Sequence, residues 1–331
     1  MIQVLMSTYN GEEYLKEQIE SILKQDCQKK TGVKLKLFIR DDGSSDGTQK
    51  ILDEYMEKYP EIISWYQGEN IGVIRSFFEL IEKSDNDAEY YAFSDQDDYW
   101  HKEKLSAGIE KLRKMADAGK KEAENSDIPL LYCCSPLLVD ENLKELDNEM
   151  TRKTKKPKFE NAVVENIVTG CTIVMNKTLR DMAKAQPPKF TVMHDWWFYL
   201  LASCYGKIYY DKEQYISYRQ HGTNTVGYNT SKIKEFKDRL KRFKRNRQNI
   251  TKQLSEFVRI YKAYIEKEAD NKLFLNNEVK SRIELADELS KYSKKIKYIP
   301  KRISILKNSG ICRQRKIDDI VFKIILLSGS Y

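Results

Sequence analysis

Three carboxylates, those of Asp95, Asp97 and Asp98, fall within four positions of the segment Phe93-Ser94-Asp95-Gln96-Asp97-Asp98-Tyr99-Trp100. Carboxylates this close repel one another unless a cation lies among them, and hard oxygen donors suit Mg²⁺ or Mn²⁺. The cluster follows the apolar-aromatic run Tyr90-Tyr91-Ala92-Phe93. That run reads as a strand, and in open α/β sheets ligands bind beyond the C-terminal edge of the strands. Taken alone, the cluster is either a solvated acidic turn or a cation site at such an edge.

Two other loops bear on the choice. Ser7-Thr8-Tyr9-Asn10-Gly11 follows the apolar Ile2-Gln3-Val4-Leu5-Met6, and Arg40-Asp41-Asp42-Gly43-Ser44-Ser45-Asp46-Gly47-Thr48 follows Leu35–Ile39. Asp46-Gly47-Thr48 alone reads as a turn and helix cap, and Tyr9 alone as a core aromatic. Right-handed crossovers carry all three loops to one edge of a sheet. There an aromatic such as Tyr9 can stack on a nucleotide base, and a fixed carboxylate such as Asp42 can accept a hydrogen bond from a pyrimidine N3–H. A metal among Asp95 and Asp97 would then bridge a diphosphate.

The elements that must hold these loops alternate in type. Strand-like Ile2–Met6, Leu35–Ile39, Ile62–Tyr66 and Glu89–Ser94 are separated by helical periodicity over 12–25, 48–59 and 73–82, with another helix over 102–116. Such alternation predicts a doubly wound, mostly parallel sheet with helices on both faces. A polar linker follows to Asp127. Leu130–Cys134 and Cys171–Met175 then read as strands, Arg152–Lys158 as an exposed loop, and Asp195–Cys204 as an apolar helix. Beyond Tyr228 the long, charged segments 231–267 and 271–297 read as helices. A domain over 1–227, with halves at about 1–116 and 127–227, is expected to precede a basic helical region over 228–331.

The charge divides at the same place. Before residue 229 there are 31 Lys and Arg against 38 Asp and Glu; from 229 onward there are 27 against 12. An acidic part suited to a cation thus precedes a basic part attracted to an anionic surface. A mean hydropathy of −0.66 describes a soluble chain, and no apolar stretch approaches the roughly 20 residues that span a bilayer. No signal sequence precedes the first strand, so a cytoplasmic location is expected. The six cysteines lack paired metal spacing and read as reduced core residues.

Ser-Thr-Tyr-Asn-Gly at 7–11, Asp-Asp-Gly-Ser-Ser-Asp-Gly-Thr at 41–48, Asn70-Ile71-Gly72 with Arg75, and Ser-Asp-Gln-Asp-Asp-Tyr-Trp at 94–100 together resemble family 2 glycosyltransferases of the GT-A fold. The order and separations agree as well as the motifs, over roughly residues 1–225. The resemblance implies a Rossmann-like α/β fold and an inverting transfer from a nucleoside diphosphate sugar, with Mn²⁺ or Mg²⁺ as cofactor. It implies that Ser7, Thr8 and Tyr9 line the nucleotide pocket, that Asp42 reads the base and that Arg75 contacts the donor. Asp95-Gln96-Asp97 matches the family's Asp-X-Asp motif, with Asp95 facing the ribose or a metal-bound water and Asp97 as direct ligand; Asp98 is an extra acid without a role.

In the second half, Met193-His194-Asp195-Trp196-Trp197 matches the place where the family has its general base, which implies that role for Asp195; a helix N-cap aspartate fits as well. Thr169-Gly170-Cys171 looks like the loop that shapes the donor-sugar pocket, with Gly170 lining it. His221, in Tyr218-Arg219-Gln220-His221-Gly222, is implied as a contact to metal or diphosphate, supported by Arg219, while His101 and His194 read as structural. The spelling of the acidic segment and of 218–224 is similar to bacterial rhamnosyltransferases, which points to dTDP-L-rhamnose first and a UDP-hexose second. The implied acceptor is a growing cell-wall or capsule polysaccharide on a polyprenyl diphosphate carrier, with the protein peripheral at the inner face of the membrane through its basic region. The apolar ending Val321–Leu327 would anchor there, pack on the catalytic domain or pair with a second subunit. Two other classes compete: a nucleic-acid-binding protein, which leaves the acidic loops unexplained, and a non-catalytic scaffold.

Overall fold

Ile2–Thr8 is buried at every position but one, the pattern of a strand covered on both faces, and it forms the inner strand β1. The computed structural model describes residues 1–122, 128–146, 156–221, 248–267, 277–291 and 299–328. After β1 come α1 (Leu15–Leu23), α2 (Cys27–Thr31), β2 (Leu35–Asp41), α3 (Thr48–Lys58), β3 (Ile63–Gln67), α4 (Val73–Lys83), β4 (Tyr90–Ser94), β5 (Tyr99–Trp100) and α5 (Lys104–Glu122). The chain continues through β6 (Leu130–Cys134), β7 (Leu137–Val139), α6 (Phe159–Ala162), β8 (Val174–Asn176), α7 (Lys177–Ala185), α8 (His194–Tyr205), β9 (Lys207–Asp211) and β10 (Ile216–Arg219). Among the described residues four helices follow, Asn249–Lys267, Asn277–Ser290, Ile299–Asn308 and Lys316–Ser328. No described helix is long and apolar enough to cross a membrane.

Seven strands form one sheet in the order β3-β2-β1-β4-β8-β6-β9. β3, β2, β1 and β4 run parallel, as do β6 and β9, while β8 lies antiparallel between β4 and β6. The register Thr8↔Asp41 and Met6↔Ser94 aligns the ends of β1, β2 and β4, so their following loops emerge at one edge. The strand–helix alternation read from the sequence is therefore present, with ends shifted by a few residues. One expectation needs correction. Residues 171–173 are not strand: Gly170–Thr172 form a 3₁₀ turn, in which the Thr172 hydroxyl donates to the Thr169 carbonyl at 2.6 Å, and pairing with β4 starts only at Val174. The second sheet, β5-β10-β7, was not anticipated. Its strands are two to four residues long, too short to carry a period.

The chain separates into two compact units. The first comprises Met1–Lys155, Val168–Pro187 and Gly206–His221, and contains both sheets. The second comprises Lys156–Ile167, Pro188–Tyr205 and Gly222–Tyr331. The boundary expected at 227/228, and the helical reading of 231–247, lie outside the described residues. At the centre of the second unit is α8, all twelve of whose residues are buried. A helix apolar all round must be surrounded. Trp197 packs edge-on against Phe257 at 5.7 Å, and Tyr205 and Phe257 both meet Tyr261, so the helix Asn249–Lys267 covers one side.

Candidate active site

The first two loops are joined side by side at the sheet edge. Asn10, with φ +46°, accepts from Ser45 N at 2.9 Å through its side chain, while its own N–H donates to Ser44 Oγ at 2.8 Å. Gly11 N donates to Thr48 Oγ1 at 2.8 Å, and Glu12 Oε2 accepts from Gly47 N at 2.6 Å. Asp41 is fully buried and accepts from Thr8 Oγ1 and Ser44 N, each at 3.0 Å. Ser7 Oγ lies 2.6 Å from Ser76 Oγ. Thr8 and Ser7 thus brace the edge from below, and Tyr9, 48 % exposed, is the residue of the triplet with an open ring face.

Asp42 is buried with almost all of its acceptor capacity in use. Its Oδ1 accepts from Ile71 N at 2.9 Å and from the Arg40 guanidinium, and its Oδ2 accepts from Gly72 N at 2.9 Å. Two carboxylate oxygens offer about four lone-pair sites, so one remains on Oδ2 for a further donor. Arg75 lies exposed in the first turn of α4, immediately after the Asn70–Gly72 loop that Asp42 holds.

The acidic loop is fastened to the first by a residue that carried no signal in the sequence. Gln96, the variable position of Asp-X-Asp, accepts from Tyr9 N at 2.8 Å and donates to Tyr9 O at 3.1 Å. Gly11 makes this approach possible, because a Cβ there would lie 2.3 Å from Gln96 Oε1. Gln96→Ala removes both bonds that join the two loops. Calorimetry with a nucleoside diphosphate should show affinity weakened about tenfold, the size of two ordinary hydrogen bonds.

The short second sheet supplies the other half of the site. β10 pairs with β5 through Ser217↔Tyr99, which sets Arg219 and His221 against the acidic loop. His221 Nε2 lies 2.8 Å from Asp97 Oδ2, across 124 positions of sequence. The Tyr14 ring lies 5.1 Å from the imidazole and 4.5 Å from the Arg219 guanidinium. Burial and the neighbouring Glu13 push the Tyr14 hydroxyl up to about 12, so it stays neutral.

Arg219 is 2 % exposed, and its guanidinium donates to Asp97 O at 2.8 Å, to Glu141 O and to the Glu17 carboxylate. It braces the main chain of the acidic loop, where the sequence suggested a donor-phosphate contact. Asp98 is fully buried and takes Arg219 N at 3.2 Å on Oδ1. Burial, with Asp97 and Asp95 close by, pushes its carboxyl well above the ordinary range. The extra acid is thus an internal tie between the acidic loop and β10. Donor atoms of Asp95, Asp98 and Cys171 lie within 4.8 Å of one another, which sets the Gly170–Thr172 turn beside the acidic loop. Asp97 Oδ2 and His221 Nε2 pair a hard oxygen with one nitrogen, and half-buried Asp95 adds a carboxylate in the same loop, donor types that suit Mn²⁺ or Mg²⁺, although the donor atoms that converge among the described residues are those of Asp95, Asp98 and Cys171.

Lys104 is a second feature that sequence reading missed. It opens α5, is fully buried, and holds its ammonium 3.4 Å from the Trp100 ring centroid with no hydrogen-bond partner among the described residues. Burial lowers it to about 8 from an ordinary 10.5, and the helix N-terminus also disfavours a cation. Between those two values the unfolded chain binds the proton and the folded chain does not, so this group adds stability as pH rises through that window. Relative to Lys104→Met, the wild type should gain about 3 kcal/mol in unfolding free energy between pH 7 and 11, read from urea melts of both proteins.

Asp195 belongs to the second unit. It stands in the first turn of α8, 7 % exposed, and its Oδ1 accepts from Trp196 N at 2.6 Å and Asn166 Nδ2 at 2.9 Å. α8 begins at His194, so Asp195 lies within the first turn of the helix and not at its cap. His194 is buried, which lowers it to about 3 and keeps it neutral; His101 is lowered by burial and pairs with Ser217 Oγ at 2.9 Å. Of the six cysteines, Cys312 is exposed and the others are buried.

Comparison with known proteins agrees with this geometry. The profile of "Glycosyl transferase family 2" matches residues 3–120. The chain is 32 % identical over 247 residues to the "dTDP-rhamnosyl transferase RfbG" of Shigella flexneri, covering 72 % of this chain and 77 % of that protein. It is 31 % identical over 110 residues to the "putative teichuronic acid biosynthesis glycosyltransferase TuaG" of Bacillus subtilis, 33 % of this chain and 41 % of that one. Among solved structures, S. aureus TarS 1–349 in complex with UDP-GlcNAc aligns with a TM-score of 0.51 at 17 % identity, over 98 % of this chain and 79 % of that one, a likeness of fold. With its motif loops gathered on a mostly parallel sheet and a long alignment to a sugar transferase, the chain belongs to glycosyltransferase family 2 and has the GT-A fold.

Proposed function

We propose that this glycosyltransferase moves L-rhamnose from dTDP-L-rhamnose, with inversion at the anomeric carbon, to a growing bacterial surface polysaccharide carried on a polyprenyl diphosphate. The observation that carries the catalytic part is the meeting of Asp97 and His221 at 2.8 Å beside the exposed Tyr9. The donor sugar rests on the similarity to the rhamnosyl transferase.

Tyr9 stacks on the base and Asp42 takes its N3–H on the remaining oxygen site, while Arg75 reaches the diphosphate. Asp95, Asp97 and His221 would hold Mn²⁺ or Mg²⁺, which when bound acts as a Lewis acid for the leaving diphosphate. Gly170 shapes the sugar pocket. Asp195 takes the proton of the acceptor hydroxyl as its oxygen bonds to the anomeric carbon and the bond to the diphosphate breaks.

A hydrolysis screen over dTDP-, UDP- and GDP-linked sugars, with and without Mn²⁺ or Mg²⁺, tests the reading directly. dTDP-L-rhamnose should be consumed fastest and only with metal. Preference for a UDP-hexose would replace the donor, and metal-independent turnover would remove the proposed role of Asp97.

A further inference from the structure

Seven large aliphatic side chains stand exposed on the last two described helices: Ile299 and Ile303 on one, and Ile317, Ile320, Val321, Ile324 and Leu327 on the other. The five on Lys316–Ser328 recur at three- and four-residue steps, so they share one face about a third of the circumference wide. Phe322 and Leu326, on the opposite face, are buried. Both acids of this helix are paired, Asp319 with Lys323 at 2.6 Å and Asp318 with Arg315 at 3.8 Å. Arg302 donates to Leu327 O at 2.8 Å and ties the two helices together. Between residues 291 and 323 the sequence holds eleven Lys and Arg against two Asp.

We infer that this face lies in the interfacial layer of an anionic bilayer. An amphipathic helix with an aliphatic face and a basic surround is the chemistry that seats in that layer. A second copy of the chain fits less well. A standard protein interface uses roughly 20–30 residues a side and is anchored by Trp, Tyr or Arg, whereas this face has five aliphatics, with two more exposed on the preceding described helix.

The face is also fixed to the segment that holds Asp195. Arg313 donates to Val164 O at 2.9 Å, Gln314 N to Glu165 Oε2 at 2.8 Å, and Asn161 to Cys312 O at 3.0 Å. One position beyond Glu165, Asn166 donates to Asp195. Seating the helices therefore sets the height of Asp195 above the lipid surface, which suits an acceptor anchored there. This last point rests on the lipid-linked acceptor proposed above.

The test uses the full chain and Ile320→Glu/Ile324→Glu, whose side chains are exposed and leave the core intact, as circular dichroism should verify. Wild type should co-sediment with phosphatidylcholine vesicles containing phosphatidylglycerol and far less with phosphatidylcholine alone. The double variant should lose partitioning about a hundredfold, since two isoleucines that would enter the bilayer are replaced by charges. Equal partitioning of the two proteins, or none by wild type, overturns the inference. So does a wild-type dimer in light scattering that the variant abolishes without any vesicle binding. Nucleotide-sugar hydrolysis without vesicles should be the same in both proteins; its loss in both would sink the transferase reading while leaving the membrane result intact.

Discussion

Asp195→Asn should bind the sugar nucleotide as tightly as wild type yet transfer sugar at least about a hundredfold more slowly, the lower end of what a positioned general base contributes. The substitution is isosteric. Its carbonyl oxygen can still accept from Trp196 N and from Asn166, so the first turn of α8 should keep its shape. What disappears is the capacity to take a proton. Asp195→Ala is the contrasting variant, because it also leaves the Trp196 N–H and Asn166 amide without their acceptor and should lower thermal stability. Single-turnover transfer and donor calorimetry on both variants separate the roles. Wild-type transfer by Asp195→Asn would assign the proton to another group and leave Asp195 as a stabiliser of the helix start.

The strands and helices of the first hundred residues were legible because their apolar periods are long and their punctuation clear. Ile2–Thr8 is buried on both faces, and the Asp46-Gly47-Thr48 turn opens α3 where its composition suggested. The sheet-edge loops were legible from their polarity. What the sequence withheld was pairing over long separations between short pieces. His221 meets Asp97 only because β10, four residues long, pairs with a two-residue β5. Gln96 gave no signal because its two bonds go to main-chain atoms of Tyr9, which any residue at that position would offer. Lys104 hid for the opposite reason: a lysine opening a charged helix reads as solvated, and only the packing of Trp100 over its ammonium shows it buried. Asp98 was visible but roleless, since a tie to the main chain of residue 219 has no pattern in composition.

Asp97→Ala should abolish metal-dependent donor binding and reduce turnover by about a hundredfold or more, because charge neutralisation by a bound cation is worth several kcal/mol and each 1.36 kcal/mol is a factor of ten. The fold has reason to survive the change. The bond from Arg219 Nε is to the Asp97 carbonyl, which alanine keeps, and Asp98 still receives Arg219 N. His221 loses its carboxylate neighbour but retains the Tyr14 ring at its side. His221→Ala should therefore be milder than Asp97→Ala, since it leaves both proposed carboxylate ligands in place. Titrating Mn²⁺ into each variant and reading the free-ion paramagnetic signal, with and without nucleoside diphosphate, ranks them without recourse to activity. If Asp97→Ala held Mn²⁺ as wild type does, the cation would have to lie on the inner side of the loop, where Asp95, Asp98 and Cys171 converge. Asp98 would then be a ligand, and its bond to Arg219 N would couple metal occupancy to the position of β10.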